Sequence, residues 1–199
     1  MTIIKSYNIP EELIPVVPFK DLLLKIIKED EGGFVLSKDP DGGDGGWTFA
    51  GVTAKTFAGY CKVHDIDPIE DTENFMQLMG TPEDAKDIIT DIFAIYDEEF
   101  ISPLQLSKKY NCLQGMLLSC AINCGIGIAL QLYHVTWVSS QPVILLESCV
   151  RTFAYNWQRH YSAIIAVHPE KHIYLNDWKA RVNRWKDYEL KILSSSSAA

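Results

Sequence analysis

The stretch from Glu29 to Thr53, EDEGGFVLSKDPDGGDGGWTFAGVT, limits what this chain can fold into more than any other. An amphipathic segment, PFKDLLLKIIKEDE, leads into it and breaks at Gly32 and Gly33. Two further Gly pairs and the acids Asp39, Asp41 and Asp44 follow before patterned sequence resumes at Thr53. Phe19, Leu22, Leu23, Ile26 and Ile27 recur at i, i+3, i+4, i+7 and i+8, the periodicity of one buried helix face. Leu23, Ile27 and Glu31 fall at i, i+4 and i+8, which stacks the last acid on the apolar stripe. Desolvation there is expected to raise its pKa and keep it protonated, as a general acid requires. The loop aspartates, in a wetter setting, are expected to stay ionised. On spacing alone Glu31 also reads as an ordinary solvated acid at a helix end, with Gly supplying the left-handed turn.

Composition narrows the classes. The 199 residues allow one domain, or one with a small helical extension, and enough length for a real core. A formal net charge of -8, with no basic patch or basic-aromatic interleaving, argues against nucleic acid as a partner. It would also repel an anionic polymer at long range, although Lys171, Lys179, Arg181, Arg184 and Lys186 make the C-terminal region locally basic. No apolar run is long enough to span a bilayer, so no stable membrane insertion is expected. The N-terminus does not read as a cleavable signal peptide, which predicts synthesis in the cytoplasm. Five cysteines, an odd number, suit reduced and mostly buried thiols. Cys120 and Cys124, one helical turn apart in apolar sequence, read as core packing; no His has the spacing to complete a metal site.

Along the chain, residues 1–17 read as an irregular arm broken by Pro10 and Pro15. Thr53 is a cap for a helix over AKTFAGYCKVH, Asp71 for a short helix to Met79, and Thr81 for the next. In that next helix Ala85, Ile88, Ile89, Ile92, Phe93 and Tyr96 form a core stripe. Residues 111–137, capped by Asn111, are apolar nearly all round, as in a central helix, with Gly125 and Gly127 kinking or splitting it. A long helix is predicted from about Pro142 to Val167, ended by Pro169, and a final one over 175–193. The SSSSAA end, 194–199, has no pattern and reads as a disordered tail. No convincing strand is visible, and the expected class is all-α.

Two carboxylates in contrasting environments are the outline of a glycosidase. Glu31-Gly32-Gly33-Phe34, the Asp-rich gap, and Gly45-Gly46-Trp47-Thr48-Phe49-Ala50-Gly51-Val52-Thr53 resemble glycoside hydrolase family 108, the N-acetylmuramidases with a signature of the form EGGY, Asp, GGxT, GIT. Phe34 stands for the usual Tyr and Val52 for the usual Ile, and the Asp loop is longer. Asp41 precedes one Gly pair and Asp44 the next, so the second carboxylate is not assigned uniquely; Asp44 is favoured. Ala121–Gly125 with Ala129–Gln131 resembles the family's AVNxG…LQ stretch. Arg151 to Val182 resembles the predicted peptidoglycan-binding module often joined to the family, with Asp177 where that pattern has Gly.

The resemblance implies a lysozyme-like helical fold in which the Gly-rich segment forms a lip of a cleft and the central helix its floor. The catalytic part would span 18–110, and the central helix with the C-terminal module 111–193. It implies hydrolysis of the β-1,4 bond between N-acetylmuramic acid and N-acetylglucosamine, with Glu31 as acid and Asp44, or failing that Asp41, as second carboxylate. Thr48 would position water, with Thr53 a second candidate for that task. Asn123 and Trp47 are candidate substrate contacts, and Asn123 alternatively makes a structural hydrogen bond. Trp178 reads as a core residue or as a sugar-stacking one. No metal or cofactor is needed. The partner is peptidoglycan, the protein a monomer, and a holin or secretion system would carry it to the wall. A non-catalytic wall-binding protein and a lytic transglycosylase are the alternatives.

Overall fold

The computed structural model describes residues 2–6, 14–15, 18–38, 47–66, 86–109, 111–139 and 146–196, which belong to two compact units, Met1–Glu99 and Phe100–Ala199. The first unit contains β1 (Thr2–Ser6), α1 (Lys20–Glu29), β2 (Val35–Lys38), β3 (Trp47–Phe49), β4 (Val52–Thr53), α2 (Ala54–Val63) and α3 (Lys86–Tyr96). The apolar stripe of α1 is buried as its spacing predicts, with Leu23, Ile26 and Ile27 fully inside. Ile88, Ile89, Ile92, Phe93 and Tyr96 of α3 are buried together as expected. Ala85, the Asp71 cap and the Thr81 cap lie outside the described residues.

The helical class holds, but the expectation of no strand does not. Among the described residues, four strands pair antiparallel in the order β1-β2-β3-β4, and residues 2–6, read as part of an irregular arm, form the first of them. Each strand has two to five residues, too few to display alternation, and β1 meets β2 only through the fold. Leu36 is opposite Phe49 and Phe49 opposite Val52, and all three are buried. Ser37, Thr48 and Thr53 are likewise opposite one another, so they share the other face.

The second unit is built from α4 (Gln114–Cys124), α5 (Ile126–Ser139), α6 (Leu146–Val167) and α7 (Leu175–Ser196). Every residue from Gly115 to Ala121 is buried, as the apolar composition requires. Gly125, at φ 87°, separates α4 from α5, which is the split its position predicts. His168 and Pro169 end α6 at Val167. The last helix runs on to Ser196, where composition suggested a patternless tail: the hydroxyls of Ser194 and Ser195 donate back to the Lys191 carbonyl at 2.8 and 2.9 Å.

A carboxylate is buried where α7 meets the start of α4. Glu189 is 1% exposed and accepts from the backbone N–H of Gly115 at 2.9 Å and of Met116 at 3.3 Å. These are orphan donors of the first turn of α4, satisfied by a side chain 74 residues away. A Cβ on Gly115 would lie 2.5 Å from the Trp185 ring and 2.7 Å from Glu189 Oε1, so only Gly admits this approach.

Burial raises the Glu189 pKa to about 7 against the opposing pull of the two N–H groups. The folded state therefore holds this proton more tightly than the unfolded chain, and stability is lost as pH rises from the ordinary carboxyl value through 7. At 1.36 kcal/mol per unit the loss is about 3 kcal/mol. Glu189→Gln keeps an acceptor oxygen without the charge. Thermal unfolding between pH 4.5 and 8 should show a decline in the parent protein that the Gln variant largely lacks. Parallel profiles would remove Glu189 as the cause.

Candidate active site

Glu31 lies just beyond α1. Its backbone N–H and that of Asp30 both donate to the Ile26 carbonyl, at 3.2 and 2.8 Å, and Gly33 donates to Ile27 at 2.7 Å. Gly32 and Gly33, at φ 82° and 94°, then turn the chain into β2. The Glu31 residue is half-buried, and its Oε1 atom is buried.

The tight turn between β3 and β4 meets this side chain. Phe49 pairs with Val52, leaving Ala50 and Gly51 as a two-residue hairpin loop at φ 49° and 82°. Positive φ at both positions is the type I′ pattern that matches the twist of paired strands. An alanine in that region costs about 1–2 kcal/mol, and the buried Tyr96 hydroxyl offsets part of it by donating to the Ala50 carbonyl at 2.8 Å. A Cβ on Gly51 would lie 2.5 Å from Tyr96 Oη, 2.7 Å from Glu31 Cγ and 2.9 Å from Glu31 Oε2. The Glu31 carboxylate therefore rests against the bare Cα of Gly51, beside the phenol of α3. Burial, and after it the charges of Glu31 and Asp30, hold the Tyr96 phenol well above its ordinary pKa, so it remains a donor.

Tyr96→Phe removes that donor from the Ala50 carbonyl. A buried hydrogen bond lost with its acceptor left in place costs about 1–3 kcal/mol. Urea unfolding should show a drop of this size; an unchanged midpoint would mean that the hydroxyl does not hold the turn.

Among the other expected site residues, Thr48 is half-buried on β3, directly opposite Thr53. Thr53 Oγ1 caps α2, accepting from Thr56 N–H at 3.1 Å and lying 2.9 Å from Thr56 Oγ1, so the predicted cap is formed. Trp47 pairs through its backbone with Lys38. Asp41 and Asp44, with Asp39, lie outside the described residues. Asn123 belongs to the second unit, where its amide donates to the Ser119 carbonyl at 2.9 Å and its Oδ1 accepts from Arg181 of α7. These bonds join Asn123 to the preceding turn of its own helix and to α7. Trp178 is half-buried and stacks on Tyr161, with ring centroids 4.8 Å apart.

Tyr96 was legible in the sequence only as a core residue. Helical spacing gave its burial, but nothing in the spacing of 96 against 31, 50 and 51 signals their meeting.

A mostly helical unit with a small antiparallel sheet, holding a partly buried glutamate against the turn of a hairpin, is the arrangement of a lysozyme-like glycosidase. The sequence model of Glycosyl hydrolase 108 matches residues 24–125, just over half of the chain. The protein belongs to glycosyl hydrolase family 108, a family of peptidoglycan-hydrolysing muramidases, and is an enzyme of that family. No curated protein and no solved structure matches the chain. The family's substrate is peptidoglycan, and among the described residues no helix is long and apolar enough to cross a membrane.

Proposed function

We propose that this enzyme hydrolyses the β-1,4 bond between N-acetylmuramic acid and N-acetylglucosamine, with Glu31 as the general acid. The observation that carries this reading is the seat of Glu31: Oε1 buried, Oε2 against the Cα of Gly51, and a phenol alongside. Such a seat fixes the rotamer of a proton donor and keeps bulk water from one of its oxygens, the two conditions for protonating a leaving glycosidic oxygen. Asp44, or Asp41 in its place, serves as the second carboxylate, stabilising the oxocarbenium-like state or holding the attacking water. Thr48 positions that water. Thr53, whose hydroxyl is engaged at the start of α2, supports the site through the hairpin. Trp47 is a further substrate contact in this reading, and Asn123 is a contact for the polymer on the second unit.

The helices after Gly125 add affinity for the same polymer, in line with the likeness of 151–182 to a peptidoglycan-binding module. The enzyme then works on the wall as a monomer, after release by a holin or transport by a secretion system.

Mass spectrometry of fragments released from purified peptidoglycan tests the reaction. Reducing N-acetylmuramic acid ends are expected. Anhydro ends would make the enzyme a transglycosylase, and binding without release would make it a wall-binding protein of the same fold.

A further inference from the structure

Helices α5 and α6 of the second unit leave a groove of about 230 Å³ between them. From α5 come Ile128, Leu132 and Val135, with Gln131 on the same face at helical spacing. From α6 come Asn156, Arg159 and His160, again three and four residues apart. The apolar wall is not covered by the rest of the unit: Ile128 and Leu132 are half-buried and Val135 is 46% exposed. An apolar wall with a few convergent polar groups is the composition of a binding site.

The charge in the groove has one sign. No acidic residue lines it, and Arg159 is its fixed cation. The guanidinium stands 5.9 Å from the ring of Tyr155, one turn earlier on α6, which steadies it without neutralising it. Among the described residues Arg159 has no ion pair, whereas Arg151 on the same helix reaches Glu147 at 3.8 Å. Burial lowers the His160 pKa, so the ring is neutral near pH 7 and acts by hydrogen bonding. The Asn156 amide nitrogen reaches the buried Thr136 hydroxyl at 3.5 Å, which leaves its carbonyl oxygen as an acceptor. Gln131 offers a donor and an acceptor. A cation, neutral amides and an apolar wall together complement a short peptide with a free carboxylate. An uncharged sugar would leave Arg159 without a counter-charge, and phosphate would leave the apolar wall unused.

We propose that this groove binds the carboxylate-bearing peptide that branches from N-acetylmuramic acid in peptidoglycan. Its carboxylate lies on Arg159, its amides on Gln131 and Asn156, and its methyl groups against the apolar wall of α5. The inference rests on the reading that the helices after Gly125 add affinity for the wall polymer, and it names the part of the polymer they hold. The net charge of -8 repels an anionic polymer at long range, and a groove with a cation and no acid gives that polymer a local point of attachment.

Isothermal titration calorimetry with the full-length protein tests the proposal. The probe is muramyl dipeptide, N-acetylmuramic acid joined to L-alanine and D-isoglutamine, which carries one free carboxylate. Diacetylchitobiose, a glycan without peptide, and inorganic phosphate, an anion without peptide, are the comparison ligands. The dipeptide should bind saturably and at least tenfold more tightly than either. Arg159→Gln, at an exposed position, should weaken it about tenfold, the worth of one charge-assisted hydrogen bond. Val135→Asp sets a like charge on the exposed edge of the groove and should weaken it as much. No dipeptide binding, binding that both variants leave unchanged, or equal affinity for chitobiose or phosphate would overturn the proposal. Release of N-acetylmuramic acid ends from wall material with no dipeptide binding would sink the groove and leave the reaction standing. Arg159-dependent dipeptide binding with no such release would leave the groove and sink the reaction.

Discussion

Glu31→Gln is expected to abolish release of muropeptides from purified peptidoglycan while leaving the protein folded and bound to the wall. Positioned proton transfer contributes about 10²–10⁴-fold to rate, and Gln offers no proton of comparable acidity at the leaving oxygen. The loss should therefore be about 10³-fold in kcat/KM and fall mainly on kcat, since the variant retains the size of the side chain. Circular dichroism and a sedimentation assay with insoluble wall material separate lost chemistry from lost structure. Substantial activity in the variant would move the acid elsewhere, and the loop carboxylates Asp41 and Asp44 would be the next to exchange.

Gly51→Ala should be the most damaging single-methyl change in the first unit. Two costs add. An L-residue at φ 82° is strained, by about 1–2 kcal/mol. The new methyl would also stand 2.5 Å from Tyr96 Oη and 2.7 Å from Glu31 Cγ. Overpacking of this kind costs about 1–3 kcal/mol, so the total expected loss of stability is about 2–5 kcal/mol. Activity should fall further than stability does. At temperatures where the variant is still folded, the methyl displaces the Glu31 side chain from its seat, and a misplacement of about 1 Å can cost 10²-fold. Thermal unfolding together with turnover well below the transition measures both. Near-parent turnover would mean that Gly51 serves the turn alone and that Glu31 does not depend on it.

The helices were the most legible part of the chain. The stripe Leu23, Ile26, Ile27 and the stripe Ile88 to Tyr96 declare their buried faces through a 3.6-residue period, because each helix satisfies its backbone hydrogen bonds locally. Thr53 as a cap and Gly125 as a break could be read for the same reason: both act within one or two turns. The sheet could not. Its hydrogen bonds join residues such as Thr2 and Lys38, far apart in sequence and brought together only by the fold.

The site divides along the same line. The residue types around Glu31, the Gly pairs and the Gly51-Val52-Thr53 segment marked a muramidase through their resemblance to glycoside hydrolase family 108; their spacing alone left Glu31 open as an ordinary solvated acid at a helix end. The tertiary structure decided which atoms surround that carboxylate. Tyr96 arrives from α3 to brace Ala50 and meet Glu31, and Glu189 arrives from α7 to satisfy the start of α4. Sequence periodicity reports which face of a helix is buried. It carries no information about which side chain of a distant element will be pressed against that face, because that is set by packing of the whole core.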